Sequence, residues 1–238
     1  MTPATTILLA LAVPLVGAVL IAAAHRAPNV RETVTMVTAS VLFLLVVSLT
    51  PLVLAGERPG VTLFEVMPGL ALKFEVEPLG MLFGLIASGL WIVNSLYSIG
   101  YMRGNDEQHQ TRFYVCFAGA LASAIGIAFA GNLLTLFVCY EALTLITYPL
   151  VTHAGTDEAR RGGRVYLGLL VGTSIVFLLV AIIWTWQLTG SIDFKPGGMF
   201  HGKTGNATLG ALLALYVFGI GKAALMPFHR WLPAAMVA

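Results

Sequence analysis

Charge is what this sequence has least of. Of its 238 residues only 10% are Asp, Glu, Lys or Arg, against about 25% in a soluble domain, which excludes an ordinary water-soluble globule. A disordered chain is excluded too, because it would be poor in apolar residues and rich in charge. The formal net charge of +2 leaves no basic footprint for nucleic acid. Cysteine is almost absent. Two residues, Cys116 and Cys139, cannot build a disulfide scaffold or a four-ligand metal site, and both read as small apolar residues inside hydrophobic runs. No cysteine cluster for iron and sulfur, no paired haem ligands and no phosphate-binding loop appear. The sequence therefore calls for no cofactor and no metal, and it does not read as an enzyme acting alone. Any driving redox chemistry would belong to another subunit.

What is present is long apolar sequence: 58% of residues are hydrophobic. A helix crosses the hydrocarbon core in about 20 residues. Five charge-free runs qualify, at residues 5–24, 33–55, 79–102, 113–130 and 165–188. Two more, 132–151 and 207–226, carry one charge each, Glu141 and Lys222. The runs are continuous and do not alternate, which excludes a membrane β-barrel. The expectation is an all-α polytopic membrane protein of about seven transmembrane helices, forming a single membrane domain over 1–238. The first run is not a cleaved signal peptide by its flanks. Such a peptide carries basic residues before its apolar stretch, and here His25, Arg26 and Arg31 follow it. With the N-terminus outside, seven arginines (26, 31, 103, 112, 160, 161 and 164) fall on inner connections, against four Lys or Arg outside. That is the sign the positive-inside rule requires. Residues 56–78 form the longest early loop. Val61, Leu63 and Glu65, then Met67-Pro68-Gly69, then Leu70, Leu72, Phe74 and Val76 give alternation around a turn, which predicts an outer-surface β-hairpin tying helix ends together. Small residues at helical spacing, Gly119, Ser123 and Gly126, then Gly168 and Gly172, predict close helix contacts.

Glu141 is the tenth residue of its run, near the midplane, where an acidic group costs roughly 2.5–3.5 kcal/mol on insertion scales. Thr144 and Tyr148 follow at i+3 and i+7, so the three make a polar stripe expected to face the bundle. Lys222 is the only basic residue inside a run. It stands in Gly219-Ile220-Gly221-Lys222, ahead of Pro227 and Pro233. Glycine loosens a helix and proline removes a donor, so this last helix is expected to be broken, as in helices that line ion pathways. Burial disfavours charge on an acid or a base alike, and an opposite charge nearby restores it. An acid and a base whose separation can change therefore make a proton site with two affinities. The competing readings are a static pair that locks two helices and a Lys222 that snorkels to the surface. His229 can relay protons near neutral pH, and with Arg230 and Trp231 beside it can equally anchor the interface. A retinal-binding photoreceptor also has a lysine in its seventh helix, but it needs a carboxylate counter-ion, and the third run has none.

A different resemblance runs through most of the chain from Phe64 onward. Glu77-Pro78-Leu79-Gly80-Met81-Leu82-Phe83, followed by Leu96-Tyr97-Ser98-Ile99-Gly100-Tyr101-Met102, resembles the N-terminal region of antiporter-like subunits. These are the proton-pumping membrane subunits of respiratory complex I and of Mrp-type multisubunit Na+/H+ antiporters. Gly131-Asn132-Leu133-Leu134 leading to Tyr140-Glu141 resembles their fifth helix, with Tyr140 where the family usually has Trp. Gly221-Lys222-Ala223-Ala224-Leu225-Met226-Pro227-Phe228-His229-Arg230-Trp231-Leu232-Pro233-Ala234 resembles their broken seventh helix, with Ala234 where Asp is more common. The resemblance implies that Glu141 and Lys222 carry proton translocation. It implies His229, Thr144, Tyr148 and Arg164 as relay or pathway residues and Gly219, Gly221 and Pro227 as the helix break. Arg164 only borders the sixth run, where the family often has an internal base. The implied setting is a multisubunit complex in a bacterial inner membrane, with other membrane subunits and lipid as partners, moving H+ with Na+ as a coupled ion. The D-like branch of the Mrp subunits is the first choice, and a complex I or membrane hydrogenase subunit the alternative. The sequence ends at Met236-Val237-Ala238, just past the broken helix, where the family continues. The expected identity is thus the N-terminal half of such a subunit.

Overall fold

Proline and threonine, more than the edges of the apolar runs, decide where the helices begin. In the computed structural model, which describes residues 1–67, 69–195, 197–200 and 202–236, prolines open α1 (Pro3–Ala23), α2 (Pro28–Leu54) and α3 (Pro78–Gly104). The first helical N–H has no intrahelical acceptor, so proline loses nothing there. Thr156 caps α6 (Asp157–Thr173) by accepting from the Ala159 amide at 3.1 Å. With Asp157 and Glu158 in its first turn, this helix starts well before its apolar run. Among the described residues six helices are long and apolar enough to cross a membrane, and a shorter apolar one, α8 (Asn206–Gly219), has 14 residues and ends in a break. The all-α membrane architecture with a broken last helix stands, and the chain is an integral membrane protein by the length and composition of these helices.

The described residues form two compact units. The first comprises Met1–Val61 and Lys73–Ala130, with α1, α2, α3 and α4 (Gln110–Ala128). Its helices meet at small residues: a Cβ on Gly80 would run into the Ala128 carbonyl oxygen, and one on Gly17 into the Thr38 side chain. Gly119, Ser123 and Gly126 are all buried, as expected of a packing face. Helix ends in this unit extend past the apolar runs and carry charge inward. Arg31 and Glu32, in the first turns of α2, are 4% and 6% exposed. Glu32 Oε1 accepts from Arg103 Nε at 3.0 Å and Arg31 Nη2 at 3.4 Å, and Oε2 accepts from Arg103 Nη2. Arg31 also donates to Gln110 Oε1 at 2.7 Å and to Thr111 Oγ1 at 3.1 Å. Arg31, Arg103, Arg112, Arg160, Arg161 and Arg164 thus stand in helix ends, not in loops. Pro28 opens α2 and Thr156 caps α6, so these two helices start before their hydrophobic stretches.

The second unit comprises Thr62–Leu72 and the chain from Gly131 onward. After α5 (Leu133–Val151) and α6, the backbone passes through a π-helical segment, Ser174–Leu179, into α7 (Val180–Thr189). Gly190, at φ +70°, ends α7 in the left-handed conformation that glycine tolerates best. Gly168 and Gly172 are not contact points, since a Cβ on either would meet open space. The close approaches lie elsewhere: a Cβ on Gly163 would meet Thr152 and Tyr148, one on Gly219 the backbone of Leu178, and one on Gly221 the Thr173 hydroxyl.

The expected hairpin is present as β1 (Gly60–Met67) and β2 (Leu70–Glu75). Gly69, at φ +80°, makes the turn and its amide donates to Glu65 Oε1 at 2.9 Å. Pro68 of that turn lies outside the described residues, as do Val237 and Ala238. β1 is exposed on both faces, so its alternation does not seat it on a core, whereas Phe74 and the following Val76 are buried. At the hairpin's base the Glu75 amide donates to the Phe129 carbonyl at 2.7 Å, and further up Asn132 Nδ2 donates to the Ala71 carbonyl at 2.7 Å. Within the first unit the former bond fastens the end of β2 to the residue after α4, and within the second the latter fastens the start of β2 to the cap of α5.

Candidate functional site

The site is built on the middle of α5 and on the broken stretch after α8. Asn132 caps α5 through Oδ1, which accepts from the Thr135 amide at 2.8 Å. Two turns on, Tyr140 is 7% exposed and Thr144 is fully buried, while Glu141 between them is half-buried. Glu141 Oε1 is a buried oxygen with no hydrogen-bond partner. Among the described residues no ion pair within 4 Å includes Glu141 or Lys222.

The break itself is specific in its geometry. α8 stops at Gly219, Ile220 leaves helical conformation with ψ 66°, and Gly221–Ala223 make a single 3-10 turn. Ala224 then adopts φ +51°, a left-handed conformation that L residues rarely occupy. A second 3-10 turn, Phe228–Arg230, leads into the short helix α9 (Trp231–Ala235). Gly219 and Gly221 are needed for close approach, because Leu178 of the π-helical segment and Thr173 just before it press against them. π segments of this kind are frequent at functional sites. The loosening of the helix that glycine suggests in the sequence is, in space, tight packing.

Lys222 is half-buried and makes three contacts with one residue. Its amide donates to the Tyr140 hydroxyl at 3.0 Å, its Nζ donates to the Tyr140 carbonyl at 2.8 Å, and Nζ lies 3.7 Å from the Tyr140 ring centroid. The Gly221 carbonyl accepts from Trp231 Nε1 at 2.8 Å. Thr144 Oγ1 donates to the same Tyr140 carbonyl at 3.0 Å, so it reaches Lys222's acceptor and not Glu141. Tyr148 is half-buried against Gly163 of α6. Arg164 and His229 are exposed, and the hydrogen bonds of the site include neither. Pro227 precedes the second 3-10 turn. The structure thus gathers Lys222, Tyr140, Thr144 and Glu141 and leaves Arg164 and His229 outside that group. Tyr140 and Trp231 are the contact residues that spacing alone does not reveal. The π-helical segment is equally hidden, with only the polar pair Thr173-Ser174 in an apolar run as a signal. An arrangement of this kind can hold an ammonium against neutral acceptors beside an acid that has a free valence.

Comparison with known proteins gives the relationship. Residues 130–238 match the family model described as NADH:quinone oxidoreductase/Mrp antiporter, transmembrane. The chain is 30% identical over 207 residues to a Rhizobium meliloti protein described as a probable K(+)/H(+) antiporter subunit, covering 84% of this chain and 20% of that one. It is 27% identical to hydrogenase-4 component B of Escherichia coli, over 69% of this chain and 24% of that protein. It is 26% identical to NADH-quinone oxidoreductase subunit N of Desulforudis audaxviator, over 71% and 34% respectively. The chain therefore spans about a fifth to a third of the length of these relatives. In fold, a chain of the Mrp complex from Dietzia sp. superposes with a TM-score of 0.80 at 23% identity, over 99% of this chain and 44% of that one. A chain of an archaeal membrane-bound sulfane sulfur reductase does so at 0.81 and 21%, over 96% and 47%. Residues 130–238 thus carry the transmembrane domain of the NADH:quinone oxidoreductase/Mrp antiporter family, and the relatives that the chain resembles along most of its length are antiporter, hydrogenase and oxidoreductase membrane subunits.

Proposed function

We propose that this chain is part of an ion-translocating subunit of a multisubunit cation/H+ antiporter, with Glu141 and Lys222 as the charge pair of its proton path. The observation that carries the reading is a buried Glu141 oxygen with no hydrogen-bond partner, next in the chain to the Tyr140 whose carbonyl and ring hold Lys222. A carboxylate in apolar surroundings costs least when protonated or paired. A proton arriving at this site has two places to reside, and approach of the pair favours charge on both. In this reading Thr144, Tyr148 and the exposed Arg164 and His229 serve as relay or pathway residues, and Na+ is the coupled cation. The complex resides in a bacterial inner membrane with the N-terminus of this chain outside, the orientation that the arginine distribution supports.

Transport in inverted vesicles carrying the complete complex tests this. Glu141→Gln and Lys222→Ala each abolish cation-dependent dissipation of a pH gradient while the complex still assembles. Wild-type transport in either variant overturns the reading. A static pair predicts the opposite pattern, lost assembly with no separate transport defect, and it would tolerate exchanging the two charges. A second reading, a proton-pumping subunit of a complex I-like or hydrogenase assembly, is supported by the similarity to hydrogenase-4 component B and to the NADH-quinone oxidoreductase relative. It predicts that proton movement depends on a redox reaction in a partner subunit and not on added Na+ or K+.

A further inference from the structure

We infer that Tyr140 is the positioning residue for Lys222: its carbonyl and ring seat the ammonium apart from Glu141, and its hydroxyl fixes the broken turn that carries Lys222. The inference rests on reading Glu141 and Lys222 as the mobile pair, and it names what holds that pair apart.

The backbone supplies the first reason. Where α8 ends and Ile220 leaves helical geometry, the Lys222 amide has no regular helical acceptor. An amide inside a membrane protein must find a partner within the protein or in water. Here the partner is the Tyr140 hydroxyl at 3.0 Å. On the other side of the same turn, Trp231 Nε1 supplies the donor for the Gly221 carbonyl at 2.8 Å. Two aromatic side chains therefore hold one 3-10 turn, one at its amide and one at its carbonyl.

The ammonium supplies the second. The Tyr140 carbonyl accepts from Thr144 Oγ1 at 3.0 Å and from Lys222 Nζ at 2.8 Å. The ring adds the attraction of a π face for a cation, at 3.7 Å from its centroid. With the ammonium seated on Tyr140, no ion pair within 4 Å joins it to the carboxylate of Glu141 among the described residues. Glu141 Oε1 without a partner is what that arrangement leaves behind. The Tyr140 seat and the Glu141 carboxylate compete for one ammonium. Phenylalanine at 140 keeps the ring and the carbonyl but removes the acceptor of the Lys222 amide, so the turn is released and the balance moves toward the ion pair.

The test compares wild type, Tyr140→Phe, Trp231→Phe and Lys222→Ala in the complete complex in membranes. A membrane-soluble carbodiimide joins a carboxylate to an amine only when the two are in contact, and mass spectrometry reads the Glu141–Lys222 cross-link. Tyr140→Phe raises its yield about fivefold, the factor by which one typical hydrogen bond shifts an equilibrium, and it moves the pH profile of cation-dependent transport. Unchanged cross-linking together with an unchanged pH profile overturns the inference, while a Lys222→Ala complex that no longer transports leaves the proposed function standing. Wild-type transport by Lys222→Ala overturns the function, and the cross-link still decides the seat. If Tyr140→Phe does not assemble, Trp231→Phe releases the same turn from its carbonyl side, and an unchanged cross-link in that variant overturns the inference equally.

Discussion

Glu32 in the first unit and Glu141 in the second are both glutamates within helices long enough to span a membrane, and their surroundings differ in kind. Glu32 has both oxygens bound by guanidinium groups, with two hydrogen bonds from Arg103 and one from Arg31. Glu141 has an oxygen with no hydrogen bond and a lysine nearby that is held by a different residue. An acid clasped by two arginines has one favourable state. An acid with an open valence has more than one, and that is what proton chemistry requires. The backbone follows the same division. Among the described residues the π segment and the two 3-10 turns all fall in the second unit, whereas left-handed non-glycine residues occur in both, Asp106 and His109 in the first and Ala224 in the second.

The largest effect is expected from setting the two acids against each other. Glu32→Ala leaves Arg31 buried without its carboxylate, a loss of about 3–5 kcal/mol, read as a lower melting temperature of the detergent-solubilised protein. Glu141→Ala breaks no hydrogen bond at Oε1 and should cost less than about 1 kcal/mol in the same assay. Equal losses would erase the distinction. Next, Gly219→Ala forces a Cβ against the Leu178 backbone, and such overpacking costs about 1–3 kcal/mol. It should also lower transport, because the break is displaced. Thr156→Ala removes the α6 cap at about 1 kcal/mol, and hydrogen exchange should rise at Asp157 to Arg160 while α5 stays protected. Smallest, Gly168→Ala adds a methyl group into open space and replaces glycine in a helix, so it should stabilise by roughly 0.5–1 kcal/mol. A loss there would mean that another chain covers that face.

Much of the architecture is legible in the sequence, because a hydrocarbon solvent leaves few ways to satisfy a backbone. Runs of 18–24 apolar residues have to be helices, and alternation around Gly69 has to be a hairpin. Helix ends are less legible, since Thr156 and Pro28 act through local geometry and extend α6 and α2 into charged sequence. The buried cluster of Arg31, Glu32 and Arg103 is hidden for this reason: three charges at the edges of apolar runs look like solvated loop residues until helix ends bring them together. At the site, the rarity of charge singles out Glu141 and Lys222. The part played by Tyr140 is not legible, because it depends on a main-chain carbonyl and on an amide 82 positions away. The glycines mislead in the opposite direction. Only three-dimensional approach separates Gly219 and Gly221, where an added Cβ would strike the sixth apolar run, from Gly168 and Gly172, where it would meet open space.

The bond from Asn132 to Ala71 carries a consequence in time. The two residues are 61 positions apart, a stretch that takes a ribosome about 3–12 s at 5–20 residues per second. The strand that receives the Asn132 side chain is therefore complete before α5 is made. Helix α5, which carries Tyr140 and Glu141, starts on a piece of chain already waiting for it. A delay or a mispaired hairpin would be felt first at the start of that helix, in the order of synthesis, before any ion reached its middle.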